Sequence, residues 1–180
     1  MRITISGPPG SGKTTACTAL AERLGLESVV FGRVFRRKAE EAGMTLAEFG
    51  RLAEEDPSID ESIDSELLRV ARENEDIIIE SRLSAQMLTR HGIPAFRIYL
   101  NASPETRAAR LCERDGGPTG EVARQMVERE VCEADRYLKY YDIDLGDRSV
   151  YDLVLDTDGL SPEEVVDALA AAVGEWYDVG

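Results

Sequence analysis

Residues 7–14 read Gly7-Pro8-Pro9-Gly10-Ser11-Gly12-Lys13-Thr14 and match G-x-x-x-x-G-K-[ST] in full. Each residue type has a task at this spacing. The glycines let backbone amides turn inward around phosphate oxygens, and a following helix points its positive end at them. Lys13 reaches the β- and γ-phosphates of a nucleoside triphosphate, and the Thr14 hydroxyl ligates Mg²⁺. The candidate ATP-binding segment is therefore Gly7, Pro8, Pro9, Gly10, Ser11, Gly12, Lys13, Thr14 and Thr15. A β-branched run precedes it and a helical composition follows, which is the context the motif requires.

The arginines decide which phosphate chemistry follows. A regulatory GTPase would carry a guanine-reading N-K-x-D after a late strand, but here Leu100 is followed by Asn101-Ala102-Ser103-Pro104. A motor-type ATPase would bring a larger domain and an acid pair closing a strand. A small kinase needs a second phosphate site facing the first. Arg36 follows the second predicted strand and Arg82 the third, and ligands in a doubly wound sheet sit at the carboxyl ends of strands. Arg107, Arg110 and Arg114 share one helix face, and Arg129, Glu133 and Arg136 share another. The plain alternative is two solvated faces, with Arg129 and Glu133 a surface pair worth about 0.3–0.5 kcal/mol. ATP carries roughly four negative charges and a nucleoside monophosphate nearly two, of which Mg²⁺ cancels about two. Lys13 and several arginines meet the remainder. A monophosphate oxygen is already ionised, so no catalytic base is required. The single histidine, His91, reads as a helix-terminal residue.

These residues need a frame. Arg2 to Ser6 predicts a strand, Thr14 to Leu24 a helix stopped by Gly25, and Val29-Val30-Phe31 a second strand ending at Gly32. Residues 33–75 lack strand signals and predict a helical insertion. Thr45-Leu46-Ala47-Glu48 and Ser58-Ile59-Asp60-Glu61 both fit a capping box. Ile77-Ile78-Ile79 suits a central parallel strand covered on both faces. Residues 96–100 and 151–157 predict two more strands, and Pro104 and Ser161-Pro162-Glu163-Glu164 open helices. Gly116 to Gly120 predicts a turn between two arginine-rich helices. The alternation implies an α/β domain over 1–180 with a five-stranded parallel doubly wound sheet.

The chain has 180 residues, with 35 Asp and Glu against 21 Lys and Arg, giving a net charge of −14. That field argues against nucleic-acid or anionic-membrane binding. Only Lys13, Lys38 and Lys139 are lysines, a halophile-like pattern that predicts stabilisation by salt. Cys17, Cys112 and Cys132 show no C-x-x-C spacing, which fits reduced thiols in a cytoplasmic protein. No apolar run approaches a membrane span, and Ile3-Thr4-Ile5 is a strand's length, not a signal peptide.

With these motifs in hand, the whole chain resembles the nucleoside monophosphate kinases, most closely archaeal-type cytidylate kinases. Gly32-Arg33-Val34-Phe35-Arg36 is similar to G-x-x-[FYL]-R, and Glu80-Ser81-Arg82 to the strand-end [DE]-G-R. Arg129 to Arg136 resembles R-[DE]-x-x-[DE]-x-x-R. The resemblance implies a P-loop NTPase fold, with 33–75 the monophosphate-binding insertion and about 110–130 a short lid. It implies ATP- and Mg²⁺-dependent transfer to CMP, and to dCMP as well. Gly32, Arg36, Arg82, Arg129, Glu133 and Arg136 would bind CMP, while Arg110 and Arg114 bracket ATP. Lys13, Arg129 and Arg136 would be catalytic. Glu80 would join Thr14 at the metal, directly or through water. Glu133 would accept from cytosine's amino group or orient a neighbouring arginine. A monomer is the expected state. The alternatives are an adenylate or broad-specificity monophosphate kinase, or a P-loop ATPase acting as an assembly factor.

Overall fold

Ile77, Ile78 and Ile79 are each at most 2% exposed, because their alternating side chains enter two different cores. In the computed structural model, which describes residues 1–178, they form the strand β3 (Ile77–Glu80) of a five-stranded parallel sheet. The other strands are β1 (Arg2–Ser6), β2 (Glu27–Val30), β4 (Phe96–Asn101) and β5 (Leu153–Asp156), in the spatial order β2-β3-β1-β4-β5. Helices α1 (Lys13–Leu24) and α8 (Pro162–Asp178) cover one face, packing Leu20, Leu169 and Val173 on Ile3, Ile5, Ile78 and Ile98. The other face takes α4 (Ser58–Glu73) and α5 (Ser84–Arg90), whose Leu67 and Leu88 meet Ile77 and Ile79. Each fully buried Ile or Leu contributes about 1.5–3 kcal/mol by transfer from water.

Between β2 and β3 lie three helices: α2 (Phe31–Glu41), α3 (Leu46–Glu55) and α4. No strand interrupts them, as the sequence predicts. The boundary before them differs from expectation. β2 ends at Val30, and Phe31 and Gly32 already belong to α2. Phe31, Phe35 and Ala39 recur every four residues, and Phe31 and Ala39 are buried. Phe35 meets Phe49 of α3 edge-on at 5.0 Å between ring centroids. Helical burial of this stripe outweighs the β-branched pair that suggested a longer strand.

The capping box at Thr45 is present, with Glu48 N donating to Thr45 Oγ1 and Thr45 N donating to Glu48 Oε2. The one expected at Ser58 is absent. Pro57, at φ −61°, is already helical, so the helix starts earlier and Asp56 Oδ1 accepts from Ser58 N instead. The turn after α6 (Pro104–Asp115) is shorter than predicted, because Thr119 and Gly120 open the long helix α7 (Thr119–Tyr141). This helical hairpin carries an apolar cluster of its own, formed by Ala108, Leu111 and Met126. β5 is also shorter than predicted. Tyr151 leaves the ladder to pack on Tyr99 at 4.9 Å. His91 caps the end of α5, as read from sequence.

Candidate active site

β1 lies between β3 and β4, so the loop after β1 is flanked by the residues that follow β3. Gly7 and Gly10 have φ of +151° and +80°. A Cβ at Gly7 would fall 2.2 Å from Leu100 O, and one at Gly10 would fall 2.6 Å from Arg107 O. Backbone conformation and close approach together require glycine at both. α1 starts at Lys13, whose Nζ donates to Pro8 O at 2.8 Å. Burial pushes the Lys13 ammonium down to about 7. Glu80 pulls it back up, and Arg82 and Arg129 add to the depression. The parallel register sets Ile5 against Glu80, and Thr14 Oγ1 donates to Glu80 Oε2 at 3.0 Å. A hydroxyl and a buried carboxylate supply hard oxygen donors, which fits Mg²⁺ held jointly with nucleotide phosphates.

A cleft of about 700 Å³ is lined by Pro9 through Ala16, Gly32, Arg36, Glu80, Arg82, Arg110, Arg114 and Arg129. A second cleft of about 840 Å³ lies between α2 and α3 on one side and α6 and α7 on the other. Arg36, Arg114 and Arg129 line both clefts, so the two meet at a seam of positive charge. Arg36 has no ion-pair partner among the described residues. Burial lowers its pKa, and Arg114 and Arg129 lower it further. Gly7 and Pro8 face elsewhere, into a smaller cavity of about 290 Å³ behind the loop.

The three α6 arginines do not act as one face. Arg107 is buried; it donates to Ala102 O and Pro9 O and pairs with Glu130, bracing the loop from behind. Arg110 lines the first cleft while donating to Thr157 Oγ1 at 2.9 Å and Thr157 O at 2.8 Å. Arg114 is half exposed and donates to Asp115.

Glu133 is 5% exposed and sits between two arginines. One oxygen accepts from Arg129 Nε at 2.7 Å and the other from Arg82 Nε at 2.5 Å. Arg82 also donates to Gly7 O, joining this cluster to the phosphate loop. Burial alone would raise the Glu133 carboxyl, but Arg82, Arg129 and Arg136 outweigh it and hold it at about 2. Arg129 and Glu133 are therefore not a solvated surface pair. Of the two roles open to Glu133 from sequence, orienting arginines is the one this geometry supplies, since each oxygen accepts from an arginine, and the same carboxylate lines the second cleft. Arg136, 4% exposed, pairs with Asp60 across 2.6 Å, off the line of a directed hydrogen bond.

Sequence reasoning missed Asp60 and Thr157. Asp60 had a signal: it shares a helix face with Asp64, Leu67 and Ala71, where a carboxylate needs a buried partner. Thr157 had none, because its role depends on β5 lying beside β4.

Residues 2–159 match the cytidylate kinase-like family. The chain belongs to that family. It is 43% identical over 178 residues to the cytidylate kinase of Halorubrum lacusprofundi, covering 99% of this chain and 91% of that protein. It is 45% identical over 165 residues to the cytidylate kinase of Sulfurisphaera tokodaii, covering 92% and 91%. Among solved structures, a shikimate kinase from Bacteroides thetaiotaomicron superposes with a TM-score of 0.62 at 19% identity, covering 99% of this chain and 98% of that one. That likeness shows that the two chains share a fold.

Proposed function

We infer that the chain is a cytidylate kinase, which moves the γ-phosphoryl group of ATP to CMP and releases ADP and CDP. One observation carries the reading beyond family: the phosphate-loop cleft and the cleft beneath α2 and α3 share Arg36, Arg114 and Arg129. A transferred phosphoryl group must cross such a seam, and its spread negative charge needs fixed cations around it. ATP would occupy the first cleft, with Lys13 on its phosphates and Arg110 and Arg114 beside it. CMP or dCMP would occupy the second, its phosphate at the seam on Arg36, where Arg82 reaches it from the first cleft. Thr14 and Glu80 would hold Mg²⁺, which when bound neutralises phosphate charge.

The protein's own work is positioning. Lys13, Arg129 and Arg136 stabilise the phosphoryl group in flight, and Glu133 keeps Arg82 and Arg129 aimed at it. The α2–α4 insertion and the α6–α7 hairpin close over the substrates to exclude water. A kinase of free nucleotides with unpaired thiols fits the cytoplasm, and the acidic surface fits a chain that binds no nucleic acid. No described helix is long and apolar enough to cross a membrane. The test is ADP formation with each nucleoside monophosphate and with none. CMP and dCMP should be the best acceptors, and ATP alone should turn over at least a hundredfold more slowly. Equal ATP turnover without an acceptor would overturn the reading.

A further inference from the structure

Arg136 presents a problem of buried charge. A guanidinium cannot shed its proton, so 4% exposure demands a carboxylate partner. Glu133 is one turn away, but its oxygens are directed at Arg82 and Arg129 and it makes no ion-pair contact with Arg136. The carboxylate that remains is Asp60, in the first turn of α4 and itself 4% exposed. It approaches Arg136 Nε at 2.6 Å. The other edge of the guanidinium is held loosely. Nη1 lies 3.5 Å from Gly50 O and 3.7 Å from Cys132 Sγ, and Nη2 lies 3.4 Å from Tyr137 Oη. These contacts stand at or beyond the end of hydrogen-bond range, and the residue lines the second cleft. The Nε edge is thus ion-paired, off the line of a directed hydrogen bond, while the Nη edge retains donors for an oxyanion.

The dependence runs both ways. Burial pushes the Asp60 carboxyl up and Glu133 adds to that, while Arg136 is the cation opposing them. Moving α4 away from α7 would strand two buried charges at once.

We propose that Asp60 is a positioning residue for phosphoryl transfer: it holds Arg136 by its Nε edge, leaves the Nη edge to the transferred group, and so couples the insertion to α7. This rests on the kinase reading above, with Arg136 at the phosphoryl group. A guanidinium displaced by about 1 Å can cost on the order of a hundredfold in rate without contact between the altered residue and substrate.

Steady-state kinetics of Asp60→Asn, Arg136→Gln and the double variant test it, with melting curves alongside. Asp60→Asn should lower kcat about 10–100-fold on CMP while the KM for ATP stays within twofold. The double variant should be no slower than Arg136→Gln alone, because Asp60 acts through that arginine. A kcat within twofold of wild type for Asp60→Asn, beside a slow Arg136→Gln, overturns the proposal and leaves the kinase reading standing. A fast Arg136→Gln instead removes Arg136 from the reaction and overturns the proposal with it. Should Asp60→Asn melt below the assay temperature, Asp60→Glu decides. It keeps the charge but displaces the guanidinium by one methylene, so kcat should still fall while the ATP KM holds. An unchanged kcat overturns the proposal.

Discussion

Thr14 Oγ1 donates to Glu80 Oε2 at 3.0 Å, joining the first turn of α1 to the last residue of β3. Glu80→Gln keeps the shape and removes the charge that would face a divalent cation. The Mg²⁺ concentration for half-maximal rate should rise at least tenfold, while the KM for CMP stays within twofold. A Mg²⁺ titration of initial rates decides it; an unshifted midpoint removes Glu80 from the metal site.

Burial depresses the Lys13 ammonium to about 7 in the free loop, so part of it is neutral at physiological pH. Polyphosphate favours the ammonium and raises that pKa, so ATP binding should take up protons, more at pH 8 than at pH 6. Calorimetry in buffers of different ionisation enthalpy reads the uptake directly. Lys13→Met should abolish it and lower kcat at least a hundredfold with an unchanged melting curve.

Replacing Glu133 removes the charge that keeps Arg82 and Arg129 together. Glu133→Gln should destabilise the fold by about 3–5 kcal/mol, as for other broken buried pairs. It should lower kcat on every acceptor and leave the CMP:UMP ratio in kcat/KM unchanged, because each oxygen is engaged by an arginine. A narrowed ratio would restore base reading to this residue. The Glu133 pKa is depressed to about 2, so its stabilisation is full above the ordinary 4.5 and is lost as pH falls toward 2.

Asp64 behaves in the opposite sense. Burial pushes its carboxyl up to about 6; Tyr141 opposes the rise and the neighbouring Asp60 adds to it. The folded state then binds the proton more tightly than the unfolded state. Its contribution is full below about 3.8 and is lost as pH rises through 6. Urea titrations of Asp64→Asn should show a flatter stability profile between pH 4 and 6 than wild type. Parallel profiles would mean that Asp64 ionises freely.

Thirty-five acidic residues against 21 basic ones make the compact state self-repelling in dilute buffer. The melting temperature should climb from dilute buffer to molar KCl, and a flat or falling curve would show that the charges are already balanced locally.

Local signals carried most of the fold. The phosphate loop, the Ile77–Ile79 run, Pro104 and Thr45-Glu48 each determine structure through neighbours a few residues away, and each was readable. Phe31 was not, because its burial depends on α4 arriving from later in the chain. The site divides in the same way. Lys13 and Thr14 are fixed by their motif, and Arg36, Arg82 and Arg129 by their place after strands or on one helix face. Asp60 and Thr157 act through partners 76 and 47 positions away, across elements whose packing no local pattern encodes.

The strand order also has a consequence for synthesis. β1 leaves the ribosome before both of its neighbours, Ile77–Glu80 on one side and Phe96–Asn101 on the other. Gly7 packs against Leu100 O, so the loop that follows β1 has no wall to rest on until Asn101 has been made. At roughly 5–20 residues per second, the opening segment waits about 5–20 s, far longer than a helix needs to form. The most chemically committed stretch of the chain is thus translated well before the strands that wall it, and the nascent chain meets cellular nucleotide before it has anywhere to hold it.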